Sequence, residues 1–176
     1  STEYFIDFCK KYDMSFICID MDPIAIENCK KFFIDKNYKN GNAYCMKGED
    51  FLYNYNNTID FIYLDAFDFF HNFHTETRKQ VYNAQLNCEI TNELCHKMHL
   101  ECCENMINKL NTDCVIAFDD IHSPDNNNKY GVKNWDGNIS NLCGKGVLAI
   151  PYLLQNNFEI KEINFPSVIL QKSNII

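Results

Sequence analysis

Aspartates close three apolar segments of this 176-residue chain. The runs SFICID, IDFIYLD and CVIAFDD end at Asp20, at Asp65, and at the pair Asp119 and Asp120. Short apolar runs of this kind predict strands covered on both faces, and open α/β sheets bind ligands at the carboxyl ends of their strands. Any one of these aspartates, taken alone, is more often a helix cap or a turn residue. Together they predict a shared pocket whose oxygen atoms would suit a hard cation such as Mg²⁺.

The sequence around these runs alternates strand-like and helix-like segments. Helical spacing of apolar residues predicts helices over 2–12, 24–34, 78–110 and 147–155, with a shorter one ending near residue 55. A weaker strand signal lies at 43–46, and the final segments FEIKEIN and SVILQK predict an antiparallel strand pair. The polar, Asn-rich interval 121–146 is interpreted as one long loop. This order predicts an α/β fold with a mostly parallel sheet, helices on both faces and a C-terminal antiparallel strand pair.

Charge and composition exclude several classes of function. Acidic side chains outnumber basic ones by 24 to 16, and Arg78 is the single arginine, so the chain lacks the basic footprint that nucleic-acid binding needs. No apolar stretch reaches the roughly 18 residues of a membrane span, and the first residues do not resemble a secretion signal. Ten cysteines without a CxxC pair are typical of reduced thiols. We expect one cytoplasmic domain over 1–176 with no nucleic-acid or membrane partner.

Three segments carry a resemblance to a known family. CIDMDPIAIENCKKFF, KGEDFLYNYNNTIDFIYLDA and VIAFDDIHSP resemble successive parts of the class I S-adenosylmethionine-dependent methyltransferases, and the resemblance covers nearly the whole chain in order. The pairing of LDA with a later FDDIH resembles, more narrowly, the metal-dependent O-methyltransferases of the macrocin O-methyltransferase and cephalosporin-hydroxylase-like group. The resemblance implies a Rossmann-like fold, S-adenosylmethionine as cofactor and Mg²⁺ as a metal cofactor.

Residue roles follow from the resemblance alone. Asp20 would hold the ribose, with Met21 beside it and Asp22 as a substitute. Glu49 or Asp50 would lie near the adenine amino group, and the alternative for this pair is a solvated helix start, where acids are favourable. The residues that the resemblance assigns to the cofactor are Ser1, Thr2, Asp20, Met21, Glu49, Asp50 and Asp65. Those that it assigns to the metal ion are Asp65, Asp119 and Asp120.

The family opens with a central strand and a glycine-rich loop that cradles the cofactor. This sequence begins at Ser1 and Thr2, where the family has the turn after that loop. We therefore expect a methyltransferase-like domain that is incomplete at its N-terminus and lacks the first strand. Two unpaired strand edges would follow, and the chain by itself would bind the cofactor weakly or not at all and could be inactive.

The resemblance implies methyl transfer to a hydroxyl of a small molecule or sugar with Mg²⁺ assistance. His122 could act as general base because an unshifted imidazole titrates near neutrality, and the alternative is a loop histidine exposed to water. His71 and His74, in an aromatic stretch, either cover the acceptor or pack against the long helix. Trp135 could also cover it.

Two rival interpretations remain open. An NAD(P)-dependent oxidoreductase would share the Asp20 position and the sheet, but it would not need an acidic cluster after the later strands. A non-catalytic binding domain or remnant of a methyltransferase fold would account for the absent glycine loop. The sequence leaves the oligomeric state open, a homo-oligomer included.

Overall fold

A computed structural model describes residues 2–67, 76–122, 142–164 and 166–173, apart from the side chains of residues 78, 86 and 122. The helices in these ranges are α1 Thr2–Lys11, α2 Pro23–Asp35, α3 Gly48–Asn54, α4 Glu76–Leu86, α5 Asn92–Met106 and α6 Ala149–Gln155. The strands are β1 Phe16–Asp20, β2 Gly41–Cys45, β3 Ile59–Leu64, β4 Leu110–Phe118, β5 Ile121–His122, β6 Cys143–Gly144, β7 Phe158–Asn164 and β8 Ser167–Lys172.

The pairs among strands β1 to β4 are parallel, and the pairs that β8 makes near the C-terminus are antiparallel. Strands β1 and β2 are parallel, as are β3 and β4, whereas β8 lies antiparallel to both β4 and β7. The α/β fold class and the C-terminal antiparallel pair are therefore confirmed. The strands form separate sheets, ordered β1-β2 and β3-β4-β8-β7, with a small β5-β6 ladder beside them.

An aromatic side chain of α1 lies between the sheet β1-β2 and the sheet β3-β4-β8-β7. The ring centroid of Phe5 is 6.3 Å from that of Phe16 in β1, and 6.0 and 5.3 Å from those of Phe61 and Tyr63 in β3. Among the described residues, no strand lies between β1 and β3. Side-chain packing, rather than backbone hydrogen bonding, joins the two sheets there.

The sheets β1-β2 and β3-β4-β8-β7 each have their own apolar core. The smaller core includes Ile6 and Cys9 of α1 with Cys29 and Phe33 of α2. The larger core surrounds β4 and β8 and includes the buried face of α5. The predicted site residues that follow β3 and β4 are therefore held by the larger core.

The predicted helix over 78–110 is wrong in its length. It is divided into α4 and α5, because Asn87 has φ +52° and Thr91 caps α5 by accepting the N–H of Leu94 over 3.2 Å. Capping by a threonine hydroxyl starts a new helix where apolar spacing alone continues the old one. No helix in the described part of the chain is long and apolar enough to cross a bilayer.

Candidate functional site

The carboxyl ends of β3 and β4 meet at one edge of the larger sheet. The two strands run parallel with Leu64 opposite Phe118, and the N–H of Asp119 donates to the carbonyl of Leu64 over 3.1 Å. Asp65 directly follows β3, and Asp119 and Asp120 directly follow β4. The structure thus brings Asp65, Asp119 and Asp120 to a common edge. We call these three residues the strand-end cluster.

A buried lysine joins two of these carboxylates. The side chain of Lys145 is 1% exposed, and its Nζ lies 2.7 Å from Oδ1 of Asp65 and 2.8 Å from Oδ2 of Asp120. The ammonium also donates to the main-chain carbonyl of Asp65 over 2.9 Å. Burial lowers the pKa of Lys145, but the two carboxylates outweigh it and raise that pKa overall. The lysine is therefore charged at neutral pH and lies between Asp65 and Asp120.

Two glycines set the position of Lys145. Gly144 pairs with Ile121 in the β5-β6 ladder at φ +94°, and a Cβ there would lie 1.9 Å from the carbonyl oxygen of Asp120. A Cβ on Gly146 would lie 2.8 Å from Cδ1 of Ile121. Glycine alone tolerates this backbone conformation together with so close an approach. The segment Gly-Lys-Gly can therefore bring the backbone of Lys145 close to the end of β4.

The sequence analysis did not single out Lys145, because it lies in the interval interpreted as a loop. A signal was present in the segment CGKG, where two of the six glycines of the chain flank the lysine. Glycines around a charged residue mark a place where backbones approach closely. The identity of the partner carboxylates could not be read from that segment, since they come from two other strands.

Asp119 has a different set of partners. Its Oδ2 accepts the hydroxyl of Tyr63, and its Oδ1 accepts the N–H of Asp120 over 2.9 Å and the hydroxyl of Ser167 over 3.4 Å. Burial, then the hydrogen bond to Asp119, raises the pKa of Tyr63, so its hydroxyl remains a donor. Asp119 therefore links β4 to β3 and β8 instead of facing Lys145.

The predicted Mg²⁺ site is not supported by this arrangement. Among the residues that the structure describes, no group of three or more His, Cys, Asp or Glu side chains is placed to hold a metal ion. Lys145 pairs with both Asp65 and Asp120 and supplies the positive charge that the sequence analysis assigns to a metal ion. Partial burial raises the pKa of Asp65, and the ammonium opposes that rise. The observed positions and partners of Asp65, Asp119 and Asp120 therefore do not suit these residues as ligands of a divalent ion.

A buried histidine of α5 lies within electrostatic reach of the strand-end cluster. His99 is fully buried, and its Nδ1 donates to the carbonyl of Cys95 over 2.7 Å. Its Nε2 has no hydrogen-bond partner among the described residues. Burial lowers the pKa of His99 to about 4, and the charge of Lys145 acts in the same direction. The ring is therefore neutral at pH 7, with a buried lone pair on Nε2.

The predicted ribose residue lies at the exposed end of β1. Oδ1 of Asp20 accepts the N–H of Asp22 over 2.8 Å, and Asp22 caps α2 by accepting the N–H of Ile24 over 2.8 Å. Met21 lies in the turn between them, where its carbonyl accepts the thiol of Cys45 over 3.5 Å. Asp20 thus has a turn role, and Asp22 a capping role, whether or not a cofactor binds.

The predicted adenine residues begin α3, beside the end of β1. The N–H of Met46 donates to the carbonyl of Asp20 over 3.0 Å, which brings the two segments together. Glu49 is half-buried and Asp50 is exposed, both in the first turn of α3. Burial raises the pKa of Glu49. Thr2 is the first residue of α1. The cofactor roles of these residues stay predictions.

Several predicted residues fall outside the part of the chain that the structure describes. These are Ser1, His71, His74 and Trp135, together with the side chain of His122. The backbone of His122 pairs with Cys143 in the β5-β6 ladder. Its predicted function as general base stays a prediction.

The residues at the end of β1 fit a nucleoside cofactor. Asp20 is exposed, and the turn engages only its Oδ1 among the described contacts, so Oδ2 can accept a ribose hydroxyl. Carboxylates that follow a strand of a parallel sheet commonly bind ribose in this way. Residues suited to a nucleoside are therefore present at the end of β1, whereas the described residues contain no ligand set for a divalent ion.

This chain is similar to known proteins in its structure. No protein-family model and no curated protein matches the sequence. A crystal structure of a putative rRNA methylase from Clostridium thermocellum superposes with a TM-score of 0.55 and 10% identity, over 91% of this chain and 76% of that one. A putative methyltransferase from Streptococcus mutans, in complex with SAH, superposes with a TM-score of 0.52 and 11% identity, over 90% and 76% of the two chains. The chain therefore has the Rossmann-like fold of these methyltransferases.

Proposed function

We propose that this protein catalyses S-adenosylmethionine-dependent methyl transfer. One observation carries the proposal. The exposed carboxylate of Asp20, of which the turn engages only Oδ1, lies beside the start of α3, in a fold shared with a putative methyltransferase whose crystal structure contains SAH. Asp20 would hold the ribose, and Glu49 or Asp50 would lie near the adenine. When bound, the cofactor would supply an electrophilic methyl group.

The acidic surface at the strand ends supports a small-molecule acceptor. Asp65 and Asp120 are 43% and 39% exposed, and they share the single positive charge of Lys145. A nucleic acid would bring phosphates toward an excess of negative charge on a chain whose net charge is −8. The name rRNA methylase belongs to the Clostridium protein. For this chain we propose a hydroxyl-bearing small molecule or sugar as acceptor.

Proton removal from the acceptor falls to side chains of this protein in our proposal. Asp65 and Asp120 each use one carboxylate oxygen to bind Lys145, so a second oxygen of each can accept a hydrogen bond from a donor group. His122 remains the proposed general base. Mg²⁺ assistance is left out of the proposal, since the carboxylates that it would need already pair with a lysine.

A binding experiment tests the cofactor assignment. Saturation-transfer NMR with SAH suits the weak affinity that we expect, with Kd values up to about 1 mM. Asp20→Asn keeps the oxygen that accepts the N–H of Asp22 but removes the charge, so it should weaken SAH binding about tenfold. Asp35→Asn, at the exposed end of α2, serves as the matched control. Absence of saturable SAH binding, or equal binding by Asp20→Asn and wild type, would contradict the proposal.

A competition assay tests the acceptor class. A mixture of ribosomal RNA and small polyhydroxyl compounds is incubated with the protein and radiolabelled S-adenosylmethionine. We expect label in the small-molecule fraction. Label in the RNA, lost when Asp20 is changed to Asn, would keep the methyltransferase assignment and overturn the proposed acceptor.

A further inference from the structure

The ammonium of Lys145 has the coordination expected of a bound cation. A lysine ammonium has three N–H donors, and the three acceptors around Nζ are Oδ1 and the carbonyl oxygen of Asp65 and Oδ2 of Asp120. The three distances lie between 2.7 and 2.9 Å, the range of charge-assisted hydrogen bonds. All three donors are used within the protein, so none is left for a substrate.

Lys145 is also held by its backbone. Its own N–H donates to the carbonyl of Asp120 over 3.3 Å, and Gly144 before it leaves no room for a side chain. The side chain is 1% exposed, while the two carboxylates remain partly open to water. Moving the ammonium aside to admit another cation would break its three hydrogen bonds within the protein.

A divalent ion would have to displace this ammonium. Mg²⁺ needs near-octahedral oxygen ligands at about 2.0–2.1 Å. The inner oxygens of Asp65 and Asp120 are directed at Nζ, and Asp119 is bound to Tyr63 and Ser167. Two positive ions at one position would repel strongly in a partly buried site.

We propose that Lys145 is the resident cation of the strand-end cluster, holding Asp65 and Asp120 in place without a divalent metal ion and closing this position to one. The lysine acts as a positioning residue, because it touches the carboxylates and leaves their outer oxygens to a ligand. The strand-end cluster is then a set of hydrogen-bond acceptors with a built-in positive charge. The proposal concerns cation binding and does not depend on the methyl-transfer assignment.

Removal of the ammonium should open the position to a metal ion. Lys145→Ala leaves two unpaired carboxylates and the space of the lost side chain. Mn²⁺, followed by electron paramagnetic resonance, is the probe. We expect Lys145→Ala to bind one Mn²⁺ at least tenfold more tightly than wild type, and to show a higher Tm with Mn²⁺ than without it. Adding Asp120→Asn to that variant should abolish the gain.

A matched control exists on the surface. Lys36 also pairs with two carboxylates, the exposed side chains of Asp7 at 2.8 Å and Glu3 at 3.1 Å. Lys36→Ala should leave Mn²⁺ binding at the wild-type level. A gain of the same size in Lys36→Ala would mean that general acidity, rather than a closed site, explains the result, and the proposal would fail.

The wild-type protein decides the question even if Lys145→Ala does not fold. Mn²⁺ is titrated into wild type and into Asp120→Asn. Equal weak binding by the two supports a position that is closed to metal. Specific Mn²⁺ binding by wild type that Asp120→Asn weakens tenfold or more would overturn the proposal. Failure to bind SAH would bear on the proposed function and leave this result unchanged.

Discussion

Two lysines of this protein each bridge a pair of carboxylates, in opposite surroundings. Lys36 joins α2 to Glu3 and Asp7 of α1, and its side chain is 21% exposed beside carboxylates that are about 60% exposed. Lys145 joins Asp65 and Asp120 at the ends of β3 and β4 and is 1% exposed. The same residue types therefore form a surface contact in one region and a built-in cation in the other.

The difference lies in what replaces the pair when it is broken. Water solvates Glu3, Asp7 and Lys36 almost as well apart as together, so an exposed bridge contributes little. Removing Lys145 leaves carboxylates that are partly withdrawn from water and held close together, which costs far more. Burial, rather than the count of ion pairs, decides which bridge matters. The following predictions test that contrast, beginning with the largest expected effect.

Lys145→Ala should destabilise the protein by about 3–5 kcal/mol, the range for removing one partner of a buried ion pair. Urea unfolding followed by circular dichroism measures the change. Lys145→Met, which keeps most of the apolar stem, should recover part of the packing and none of the charge pairing. A loss below about 1 kcal/mol in both variants would show that the two bridges do not differ.

Acid should lower the free energy of unfolding, because His99 is buried in its neutral form. Burial lowers the pKa of His99 to about 4 from the ordinary histidine value of 6.5, so the unfolded chain binds more protons between these values. The stabilisation is complete above pH 6.5 and is lost as the pH falls towards 4, by about 3 kcal/mol in total. Urea unfolding from pH 7.5 to 4.5 in wild type and His99→Gln measures it. If the free energy of unfolding depends equally on pH in both proteins, His99 is not the source of the acid sensitivity.

Gly144→Ala should cost about 2 kcal/mol, because φ +94° and a Cβ 1.9 Å from the carbonyl oxygen of Asp120 force the backbone to shift. Gly48→Ala is the matched control. Its Cβ would lie 3.7 Å from Sγ of Cys102, an ordinary contact in the first turn of α3. If both variants unfold at the wild-type urea midpoint, the Gly-Lys-Gly segment does not hold Lys145 in the way described.

Lys36→Ala should produce the smallest effect, a shift in urea midpoint several-fold below that of Lys145→Ala. The hydrogen bonds that Lys36 donates, first to Asp7 and then to Glu3, raise the pKa of Lys36, yet all three groups remain in contact with water. Raising NaCl from about 0.05 to 0.5 M should remove most of this shift, because salt screens exposed charges. The shift for Lys145→Ala should persist at high salt. Equal salt sensitivity of the two variants would remove the distinction.

The elements that depend on local pattern could be predicted closely. The apolar run ending at Asp65 predicts β3, and Pro23 with the apolar spacing after it predicts α2, because burial period and helix-start chemistry are written in neighbouring residues. The break between α4 and α5 was missed. It depends on a left-handed Asn87 and on the cap at Thr91, two weak signals inside a continuous apolar stripe.

Cysteine and methionine positions on α5 show where a pattern succeeds and where it stops. Within the helix predicted over 78–110, every fourth residue is apolar, which predicts a core-facing stripe of Ile90, Leu94, Met98, Cys102 and Met106. All of these except Leu94 are buried. Leu94, in the same stripe, is 38% exposed. A four-residue step drifts by about 40° around an α-helix at each repeat, so such a stripe cannot stay on one buried face over its whole length.

The sequence by itself determined which strands end in acids, and therefore that Asp65, Asp119 and Asp120 would meet at one edge. Parallel strands impose that result, because the carboxyl ends of neighbouring parallel strands always lie on the same side. Only the tertiary structure decided what occupies the space between them. Lys145 reaches Asp65 and Asp120 from a distant segment through one positive-φ glycine, and a contact between residues so far apart in the chain leaves no periodic trace in any of the segments that form it.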